Sequence, residues 1–379
     1  MVNIETFVKF LHDNGITFFT GVPDSYLNDF CTYLVNHIPS QQHILAANEG
    51  NAIAIAAGHY LATSEIPLVY MQNSGIGNAT NPLLSLANHE VYGIPMLLVI
   101  GWRGEPSTID HCQHIKQGEL TPILMSDFDI PFQIIDNDEL SYDNIRFLIN
   151  KAKVDSSPVA LIVKKGVLSD SIKHQHYPLS RLLTREEAIS IVFDAFGKDT
   201  IYLASTGRAT REVHEQRKIR ELPLGCEFLN VGAMGHLSSI GLGIAMSNPR
   251  KRVVVFDGDA SCIMHLGSLA TIGKYQPNNF YHIILNNSAN ESVGGQPTPG
   301  HSINLTDIAK ACGYTTPTKF IDNRDDFFEF INSLDSSVSP VFIDFYIRQG
   351  IRNDIPKLSI NHQESKQAVI EYLKHYNND

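Results

Sequence analysis

The sequence predicts an α/β protein made of two doubly wound domains, each built on a parallel β-sheet. Three observations support this prediction: a length of 379 residues, alternating strand-like and helix-like segments, and continuously apolar strand-like segments. At roughly 150 residues per domain, the length suits two medium domains. Short apolar runs bounded by turn residues are typical of strands buried on both faces. Their alternation with helices favours the doubly wound arrangement.

The composition indicates a globular chain with an acidic surface. Hydrophobic residues make up 43% and charged residues 18%, which excludes disorder over the whole chain. Lys and Arg number 29 against 40 Asp and Glu, so the formal net charge is −11 with His neutral. This charge argues against broad binding to nucleic acid or to anionic membranes. It does not exclude a small anionic ligand, because such a ligand responds to the local field.

The cysteines and the N-terminus favour a soluble, cytoplasmic protein. The five cysteines are odd in number, and no two have Cys-x-x-Cys spacing. This fits a reducing compartment better than a disulfide framework or a structural zinc site. Residues 1–15 have the pattern of an amphipathic helix and contain Glu5 and Asp13, unlike a secretion signal. The longest strongly apolar run, residues 94–102, is far too short to span a bilayer.

In the first half of the chain, the predicted elements alternate up to about residue 165. Apolar runs of four to six residues predict strands, and small-residue or amphipathic stretches between them predict helices. The predicted strands are 17–20, 68–71, 95–100 and 159–163, and the predicted helices are 1–15, 51–62 and 81–90.

The second half shows the same alternation without any sequence-level repeat of the first half. The resemblance between the halves is therefore architectural only. The predicted strands are 200–204, 252–256, 281–285 and 341–346, with a predicted helix at about 266–274.

The boundary between the domains is predicted to lie between about residue 165 and Thr184. Thr184-Arg-Glu-Glu187 satisfies the capping-box pattern and marks the start of a helix. Residues 169–183 are polar and are interpreted as a linker. We therefore expect a first domain at 1–168 and a second domain at 184–379.

The strongest chemical signal follows two predicted strands of the second half. Asp257-Gly-Asp259-Ala-Ser261 follows strand 252–256, and Asn286-Asn287 follows strand 281–285. In open parallel sheets, ligands bind outside the carboxyl ends of the strands. If the two strands are neighbours, the oxygens of Asp259 and Asn287 suit Mg²⁺, and N–H groups after Ser261 suit a phosphate. Either segment alone is an ordinary polar turn, and only their joint spacing favours the site.

This spacing resembles the thiamine diphosphate motif, in which Gly-Asp-Gly is followed at a similar distance by Asn-Asn. The resemblance implies thiamine diphosphate and Mg²⁺ as cofactors. It implies that the side chains of Asp259 and Asn287 and the carbonyl of Ala289 bind the metal, with Gly258, Ala260 and Ser261 at the diphosphate. The family has glycine where this chain has Ala260, and the methyl group could crowd the cofactor or change the loop torsions.

Further segments match the same family. Glu49 precedes a helix rich in Ala and Gly, as does the carboxylate that the family places at N1′ of the cofactor. By itself, Glu49 is better explained as an ordinary acidic residue at a helix N-terminus, and only the further matches favour the cofactor role. Met234 lies where the family places the apolar residue that supports the pyrimidine ring. The same resemblance implies cofactor contacts for Gln72, Ser205, Thr206, Gly207 and Gly232.

Several segments also resemble the phosphonopyruvate decarboxylase family, with the sulfopyruvate decarboxylases as near relatives. The most discriminating are Trp-Arg-Gly-Glu-Pro at 102–106 and Gly-Gly-Gln-Pro-Thr at 294–298. Family members tend to have Gly at position 107 and Glu-Pro in place of His111-Cys112. The resemblance covers essentially the whole chain. It implies decarboxylation of 3-phosphonopyruvate to phosphonoacetaldehyde and CO₂ in phosphonate biosynthesis.

The resemblance also implies particular roles and an assembly. Glu49, Asp24 and His114 are the candidate catalytic residues. Candidates for binding the anionic substrate are Ser25, Arg103, Lys116, Gln117, Gly295 and Gln296. A lone basic residue among these could equally be a solvated loop charge. The cofactor is expected between two subunits of a homo-oligomer, and the length leaves no room for a middle domain.

Two alternatives to this function are a sulfopyruvate decarboxylase and a non-catalytic homologue that keeps the fold. Ala260 is the only residue that supports the non-catalytic homologue, and Glu49, Asp259 and Asn287 argue against it. A nicotinamide-dependent enzyme is a weaker alternative, because neither Gly-x-Gly segment completes the dinucleotide fingerprint.

Overall fold

The computed structural model describes residues 2–136, 141–169, 181–335, 340–350, 352, 354–356, 358 and 360–375. The chain divides into two compact units between residues 175 and 176, with residues 292–296 assigned to the first unit. Residues 170–180 of the predicted linker lie outside the described residues, so the linker and the proposed domain bounds stay predictions.

The first unit is built on a six-stranded sheet in which every pair of neighbouring strands is parallel. The strand order is β2-β1-β3-β4-β6-β5. The strands are β1 (Phe19–Gly21), β2 (His43–Leu45), β3 (Leu68–Gln72), β4 (Leu97–Gly101), β5 (Phe132–Ile135) and β6 (Val159–Val163). The helices are α1 (Ile4–Asp13), α2 (Asn28–His37), α3 (Glu49–Thr63), α4 (Ile76–Pro82), α5 (Cys112–Asp127) and α6 (Tyr142–Asp155).

Both faces of this sheet are buried, as the continuous apolar runs predicted. Along β3, Leu68 and Tyr70 belong to one hydrophobic cluster, whereas Val69 and Met71 belong to another. Successive side chains of a strand point to opposite faces, so the two clusters lie on opposite sides of the sheet. This confirms the doubly wound interpretation of the first half.

The second unit has a five-stranded parallel sheet with the order β13-β10-β9-β7-β8. The strands of this part of the chain are β7 (Thr200–Ala204), β8 (Glu227–Leu229), β9 (Arg252–Gly258), β10 (Phe280–Asn286), β11 (Ala289–Asn290), β12 (Gln296–Pro297) and β13 (Val341–Tyr346). The helices are α7 (Arg185–Phe196), α8 (Arg208–Ile219), α9 (Leu237–Ser247), α10 (Asp259–Met264), α11 (Ser268–Tyr275), α12 (Leu305–Ala311), α13 (Arg324–Ser333) and α14 (His362–His375).

Each sheet reverses its strand order beside its first strand, and the first sheet reverses it again at the β6-β5 edge. In the first unit the reversal lies between β1 and β3, and in the second unit it lies between β7 and β9. Ligands of doubly wound proteins bind at this point, beyond the carboxyl ends of the strands. The predicted site residues that follow β1, β3, β7 and β9 therefore lie where the topology favours binding.

One predicted helix has different bounds in the structure. The helical turns lie at Ile76–Pro82 and Leu83–Ala87, rather than at 81–90. Asn88 has a ψ of 144°, which ends the helical geometry before Glu90. Across the described segments, we find no helix with the length and apolar character that a membrane crossing requires.

Candidate active site

Glu49 is a buried carboxylate at the first position of α3. Its Oε2 accepts a hydrogen bond of 2.7 Å from Nδ2 of Asn78, the third residue of α4. A Cβ at Gly75 would lie 2.5 Å from the side chain of Glu49, so only glycine fits beside it. These contacts fix the direction of the carboxylate, as a hydrogen bond to a ligand atom at a defined position requires.

Asp24 follows β1 and is completely buried. Its Oδ2 accepts a hydrogen bond from the Tyr26 main-chain N–H at 3.1 Å, whereas its Oδ1 has no partner among the described residues. Burial raises the pKa of Asp24 to about 6, although the nearby Arg103 charge opposes the shift. A carboxyl with this pKa exchanges its proton close to neutral pH, which suits proton transfer.

Arg103 lies beside Ser25, as a shared substrate site requires. Nη1 of Arg103 donates to Oγ of Ser25 at 2.9 Å. The rest of the guanidinium is held by Asp110, which accepts from Nε at 2.7 Å and from Nη2 at 2.6 Å. The guanidinium also lies over the ring of Tyr26, 4.7 Å from its centroid. Asp110 thus offsets most of the positive charge that the sequence assigned to this place.

Asp110 was missed by the sequence reasoning. Besides the two Arg103 bonds, it accepts from the main-chain N–H groups of Gly104 at 3.0 Å and His111 at 2.7 Å, and from the Tyr26 hydroxyl at 3.3 Å. Burial alone would raise its pKa, but these donors, Arg103 first among them, hold the pKa below its usual value. Asp110 is therefore a permanent carboxylate that closes the 103–111 loop.

Asn73 is a second residue that the sequence reasoning did not select for a role. It is buried, and its Nδ2 donates to the Arg103 carbonyl at 2.8 Å and to Oγ1 of Thr121 at 2.9 Å. Its Oδ1 accepts from the Arg103 main-chain N–H at 3.2 Å. Asn73 thus ties the ends of β3 and β4 to α5. The neighbouring Gln72 donates to Oγ of Ser74 at 2.6 Å.

The predicted residues on α5 differ in their surroundings. His114 is half-buried, and its Nδ1 has no hydrogen-bond partner within the described part of the chain. Burial lowers its pKa to about 4, with help from the Arg103 charge. It is therefore neutral at physiological pH. Lys116 points to solvent and pairs with Glu119 at 2.8 Å, so the structure does not bring it to the Arg103 group. The Gln117 carbonyl accepts from Oγ1 of Thr121 at 2.7 Å, an ordinary helix contact.

Gly295 and Gln296 belong to the segment assigned to the first unit. Gln296 is buried, and its Nε2 lies 3.1 Å from Oδ1 of Asn28 and 3.3 Å from Oγ1 of Thr32, both of α2. Gly295 has a positive φ of 79°, which glycine adopts without strain. Gln296 therefore anchors this segment to α2.

In the second unit, Asp259 is buried at the start of α10, directly after β9. The Thr298 hydroxyl donates to its Oδ2. Burial raises the pKa of Asp259 to about 6, and the hydroxyl of Thr298 and main-chain N–H groups, including that of Asn287, oppose the shift. The structure thus brings Asp259 and Asn287 together, as their spacing predicted.

Asn287 and Ala289 form a tight turn after β10. Oδ1 of Asn287 accepts from the Ala289 N–H at 3.1 Å, and the Asn287 carbonyl accepts from Nε2 of Gln349 at 2.9 Å. Ser288 between them has a φ of 53°, in the left-handed region. The turn thus fixes the side chain of Asn287 and the main chain of Ala289, on the segment whose Asn287 N–H contacts Asp259.

The Ser205–Gly207 segment lies at the reversal point of the second sheet. Ser205 is buried and its N–H donates to the Phe256 carbonyl at 3.0 Å, while Oγ1 of Thr206 donates to the Val231 carbonyl at 3.1 Å. Gly207 has a φ of 116° and precedes α8. Beside them, the buried amide nitrogen of Asn230 has no partner among the described residues.

The glycine-rich turn at 232–235 is joined to the Asp259 segment. Oγ of Ser261 accepts from the Gly235 N–H at 3.0 Å, and Met234 in the same turn is half-buried. This bond brings Gly232 and Met234 next to the start of α10. Ala260 lies inside α10 without a positive φ, and Gly258 before it also has no positive φ. The backbone therefore has no need of glycine at position 260.

Asp344 is the third residue that the sequence reasoning missed. It is buried on β13, and its Oδ1 accepts from Nδ2 of Asn286 at 2.9 Å. Burial raises its pKa to about 7, and the charge of Asp259 adds to the shift. No sequence pattern marks it, because a single Asp within an apolar strand carries no spacing signal.

The chemistry of these groups fits a divalent cation and an anionic ligand. Asp259 is a buried carboxylate whose pKa is raised by burial, and a bound cation would offset that cost. Among the described residues, no three His, Cys, Asp or Glu side chains cluster as metal ligands, so Asp259 would act with amide and carbonyl oxygens. The unpartnered amide of Asn230 supplies a donor to an anion.

Two family models match the chain, one in each half. The model of the thiamine pyrophosphate enzyme N-terminal TPP binding domain matches residues 3–124. The model of the thiamine pyrophosphate enzyme C-terminal TPP binding domain matches residues 205–345.

Curated relatives match the chain over most of its length. A phosphonopyruvate decarboxylase of Streptomyces viridochromogenes is 32% identical over 92% of this chain and 89% of its own. Another, of Streptomyces hygroscopicus, is 32% identical over 83% of this chain and 80% of its own. A sulfopyruvate decarboxylase of Methanosarcina acetivorans is 26% identical over 97% of each chain.

Proposed function

The chain belongs to the thiamine pyrophosphate enzyme family, and from this membership we propose that it converts 3-phosphonopyruvate to phosphonoacetaldehyde and CO₂. Its cofactor is thiamine diphosphate, and its reaction class is decarboxylation of a 2-oxo acid. The observation that carries the choice of substrate is the similarity to two phosphonopyruvate decarboxylases over most of the chain. Mg²⁺ as the metal and phosphonate biosynthesis as the setting are parts of the proposal.

When bound, thiamine diphosphate supplies the electron sink that allows CO₂ to leave. The chain supplies orientation and a place for each proton. Glu49 has the burial and the fixed direction needed to hold one nitrogen of the cofactor ring. Asn78 keeps the carboxylate of Glu49 in that direction, and Gly75 leaves space beside it.

Asp24 and His114 are proposed to hold and move protons at the substrate. Asp24 carries a proton below about pH 6 and is shielded from water, so it can deliver that proton to a bound reaction product. His114 is neutral down to about pH 4, so one ring nitrogen can accept a proton at neutral pH.

Ser25 and Arg103 are proposed to contact an anionic group of the substrate. They already contact each other, and two of the guanidinium N–H groups remain outside the hydrogen bonds to Asp110 and Ser25. Because the chain is acidic overall, attraction to a dianion must come from such local donors. Gln117, Gly295 and Gln296 stay candidates for substrate contacts, whereas exposed Lys116 is the weakest candidate.

The metal is proposed to bind Asp259, Asn287 and the carbonyl of Ala289. The hydroxyl of Thr298 donates to Asp259 and would hold that carboxylate in place. The diphosphate is proposed to be surrounded by six residues of the second unit: Ser205, Thr206, Gly207, Gly258, Ala260 and Ser261. The pyrimidine ring is proposed to contact Gln72, Gly232 and Met234. We further propose a homo-oligomer in which each cofactor contacts two copies of the chain.

Sulfopyruvate is the second candidate substrate, and Asp110 is the observation that favours it. A sulfonate carries one negative charge fewer than a fully ionised phosphonate, and Asp110 offsets the charge of Arg103. A site with less positive charge gains less from the second negative charge of a phosphonate, so it would discriminate less strongly against the sulfonate.

The test compares kcat/KM for phosphonopyruvate and sulfopyruvate, measured as aldehyde formation with thiamine diphosphate and Mg²⁺ present. We expect phosphonopyruvate to be the better substrate by at least about tenfold, the effect of one added charge-assisted contact. A preference for sulfopyruvate would overturn the proposed substrate and leave the reaction class in place.

A further inference from the structure

Asn286 lies at the centre of a hydrogen-bond network behind the proposed metal site. It is completely buried at the end of β10. Its Nδ2 donates to the Gly300 carbonyl at 3.0 Å and to Oδ1 of Asp344 at 2.9 Å. Its Oδ1 accepts from the Ser288 N–H at 3.2 Å. These three bonds use both amide hydrogens and the oxygen, so the side chain has a single orientation.

The network connects the two segments that flank Asp259. Ser288 donates from its Oγ to the Thr298 carbonyl at 3.0 Å, and the Thr298 N–H donates back to the Ser288 carbonyl at 3.1 Å. Thr298 in turn donates its hydroxyl to Asp259. A displacement of Asn286 would therefore move both the Asn287–Ala289 turn and the donor to Asp259.

Gly300 shows how closely these groups pack. A Cβ at this position would lie 2.5 Å from Oδ1 of Asn286 and 2.6 Å from Oδ2 of Asp259. The amide of Asn286 and the carboxylate of Asp259 thus border the same glycine, and neither has space to rotate freely.

Asp344 is the acceptor that sets the direction of this amide. It is a buried residue of β13, and it pairs with Ile284 of the neighbouring strand β10. If its oxygen were absent, one amide hydrogen of Asn286 would be buried without a partner, which favours displacement of the side chain. Rotation of the amide would not relieve this loss, because it would place the amide nitrogen against the Ser288 N–H, donor facing donor.

We propose that Asp344 is a positioning residue for the metal site, acting through Asn286 on the turn that holds Asn287 and Ala289. This inference rests on the proposed function, because it assumes that a divalent cation binds at Asp259. Outer residues that orient metal ligands typically change metal affinity by about 10-fold to 100-fold when removed. Among the described residues, the hydrogen bond of Asp344 is to Asn286 rather than to a proposed metal ligand.

The experiment measures the Kd of Mg²⁺ by calorimetry at saturating thiamine diphosphate. Asp344→Leu removes the acceptor, and we expect the Kd to rise at least about tenfold. Asp344→Asn keeps an oxygen for Asn286, so we expect a rise of less than about threefold. If the Asp344→Leu protein does not fold, Asp344→Ala serves as a second variant without an acceptor.

The matched control is Glu227→Leu, which removes another buried carboxylate of the second unit. Glu227 lies at the amino end of β8 and accepts from His214 and Arg217. We expect it to lower the unfolding midpoint of the cofactor-free protein while leaving the Kd of Mg²⁺ within about threefold. An equal rise in Kd for Glu227→Leu and Asp344→Leu would overturn the proposal, since both would then act through stability alone.

A double-variant comparison tests the route through Asn286. Asn286→Ala should weaken Mg²⁺ binding, and adding Asp344→Leu to it should weaken binding no further. Independent, additive losses would contradict the route. If the unchanged protein binds no Mg²⁺, the proposed function fails, whereas equal affinity in the unchanged protein and in Asp344→Leu overturns this inference only.

Discussion

At the scale of single residues, the burial of Asp24 makes stability depend on pH in a defined direction. Its pKa is about 6 in the folded protein, against 3.8 for a fully exposed aspartate. Between these values the folded state holds more protons than the unfolded state, so the free energy of unfolding falls as pH rises from about 4 to 6. His43 and His114, whose pKa values burial lowers to about 4, oppose this trend.

We therefore predict the effect from a variant that isolates Asp24. Asp24→Asn cannot ionise, so its stability relative to the unchanged protein should improve as pH rises from about 4 to 7, by on the order of 2–3 kcal/mol. Urea unfolding of both proteins at several pH values measures this difference. The histidines contribute equally to both proteins and cancel. A difference that does not change with pH would contradict the pKa assigned to Asp24.

The sequence indicated the residues whose roles follow from local spacing, but not those defined by distant partners. Asp259 and Asn287 were predicted because two polar turns follow two strands at a spacing that resembles a known motif. Asp110 and Asp344 were missed, because each acts through a residue that only folding brings near. Arg103 was selected as a free cation, and its neutralisation by Asp110 depends on the closure of a loop.

At the scale of secondary-structure elements, the longer strands and the central β1 were predicted, and three short edge strands were missed. The predicted strands 159–163, 200–204 and 341–346 match β6, β7 and β13. The missed strands β2, β5 and β8 are three or four residues long, and each lies at the edge of its sheet. These short edge strands are only partly buried, so they lack the continuous apolar run on which the prediction depended. The edge strand β13 has such a run and is buried over most of its length.

The start of α7 was predicted from its capping box and is confirmed by the structure. Oγ1 of Thr184 accepts from the Glu187 N–H at 3.1 Å, and the Glu187 carboxylate accepts from the Thr184 N–H at 2.7 Å. The pattern succeeded because both partners lie within four residues.

We predict that Thr184→Ala lowers the free energy of unfolding by about 1 kcal/mol, because the Glu187 N–H loses its side-chain acceptor. Thr184→Ser is the matched control, since its hydroxyl can form the same bond, and it should change stability by only a few tenths of a kcal/mol. Urea unfolding followed by circular dichroism measures both. Equal losses in the two variants would show that the methyl group, and not the cap, matters.

At the scale of the whole molecule, the two family models show how the length of the chain is divided. The two family models fall in separate halves of the 379 residues, with 80 residues between their matched ranges (125–204). That interval contains β5, α6, β6, α7 and β7. That no additional domain lies between them stays a prediction from the sequence. The order of the strands within each sheet could not be predicted from the sequence, because the alternation of strands and helices does not specify which strands are neighbours.

The proposed shared site predicts that two inactive variants restore each other. Glu49→Gln and Asp259→Asn should each be inactive alone. Mixed and reassembled in equal amounts, they should recover up to about a quarter of full activity, because half of the dimers are hybrids and each hybrid has one intact site. Activity of the reassembled mixture measures this, with each variant reassembled alone as the control. Absence of recovery in proven hybrids would place each site within one copy.

The central claim is tested most directly by CO₂ release from phosphonopyruvate before and after removal of the cofactor. The protein freed of thiamine diphosphate and metal should release no CO₂, and adding both should restore release with one phosphonoacetaldehyde formed per CO₂. Glu49→Gln, loaded in the same way, should bind the cofactor but lose at least about 100-fold in rate. Release of CO₂ without the cofactor, or no turnover after reloading, would contradict the account.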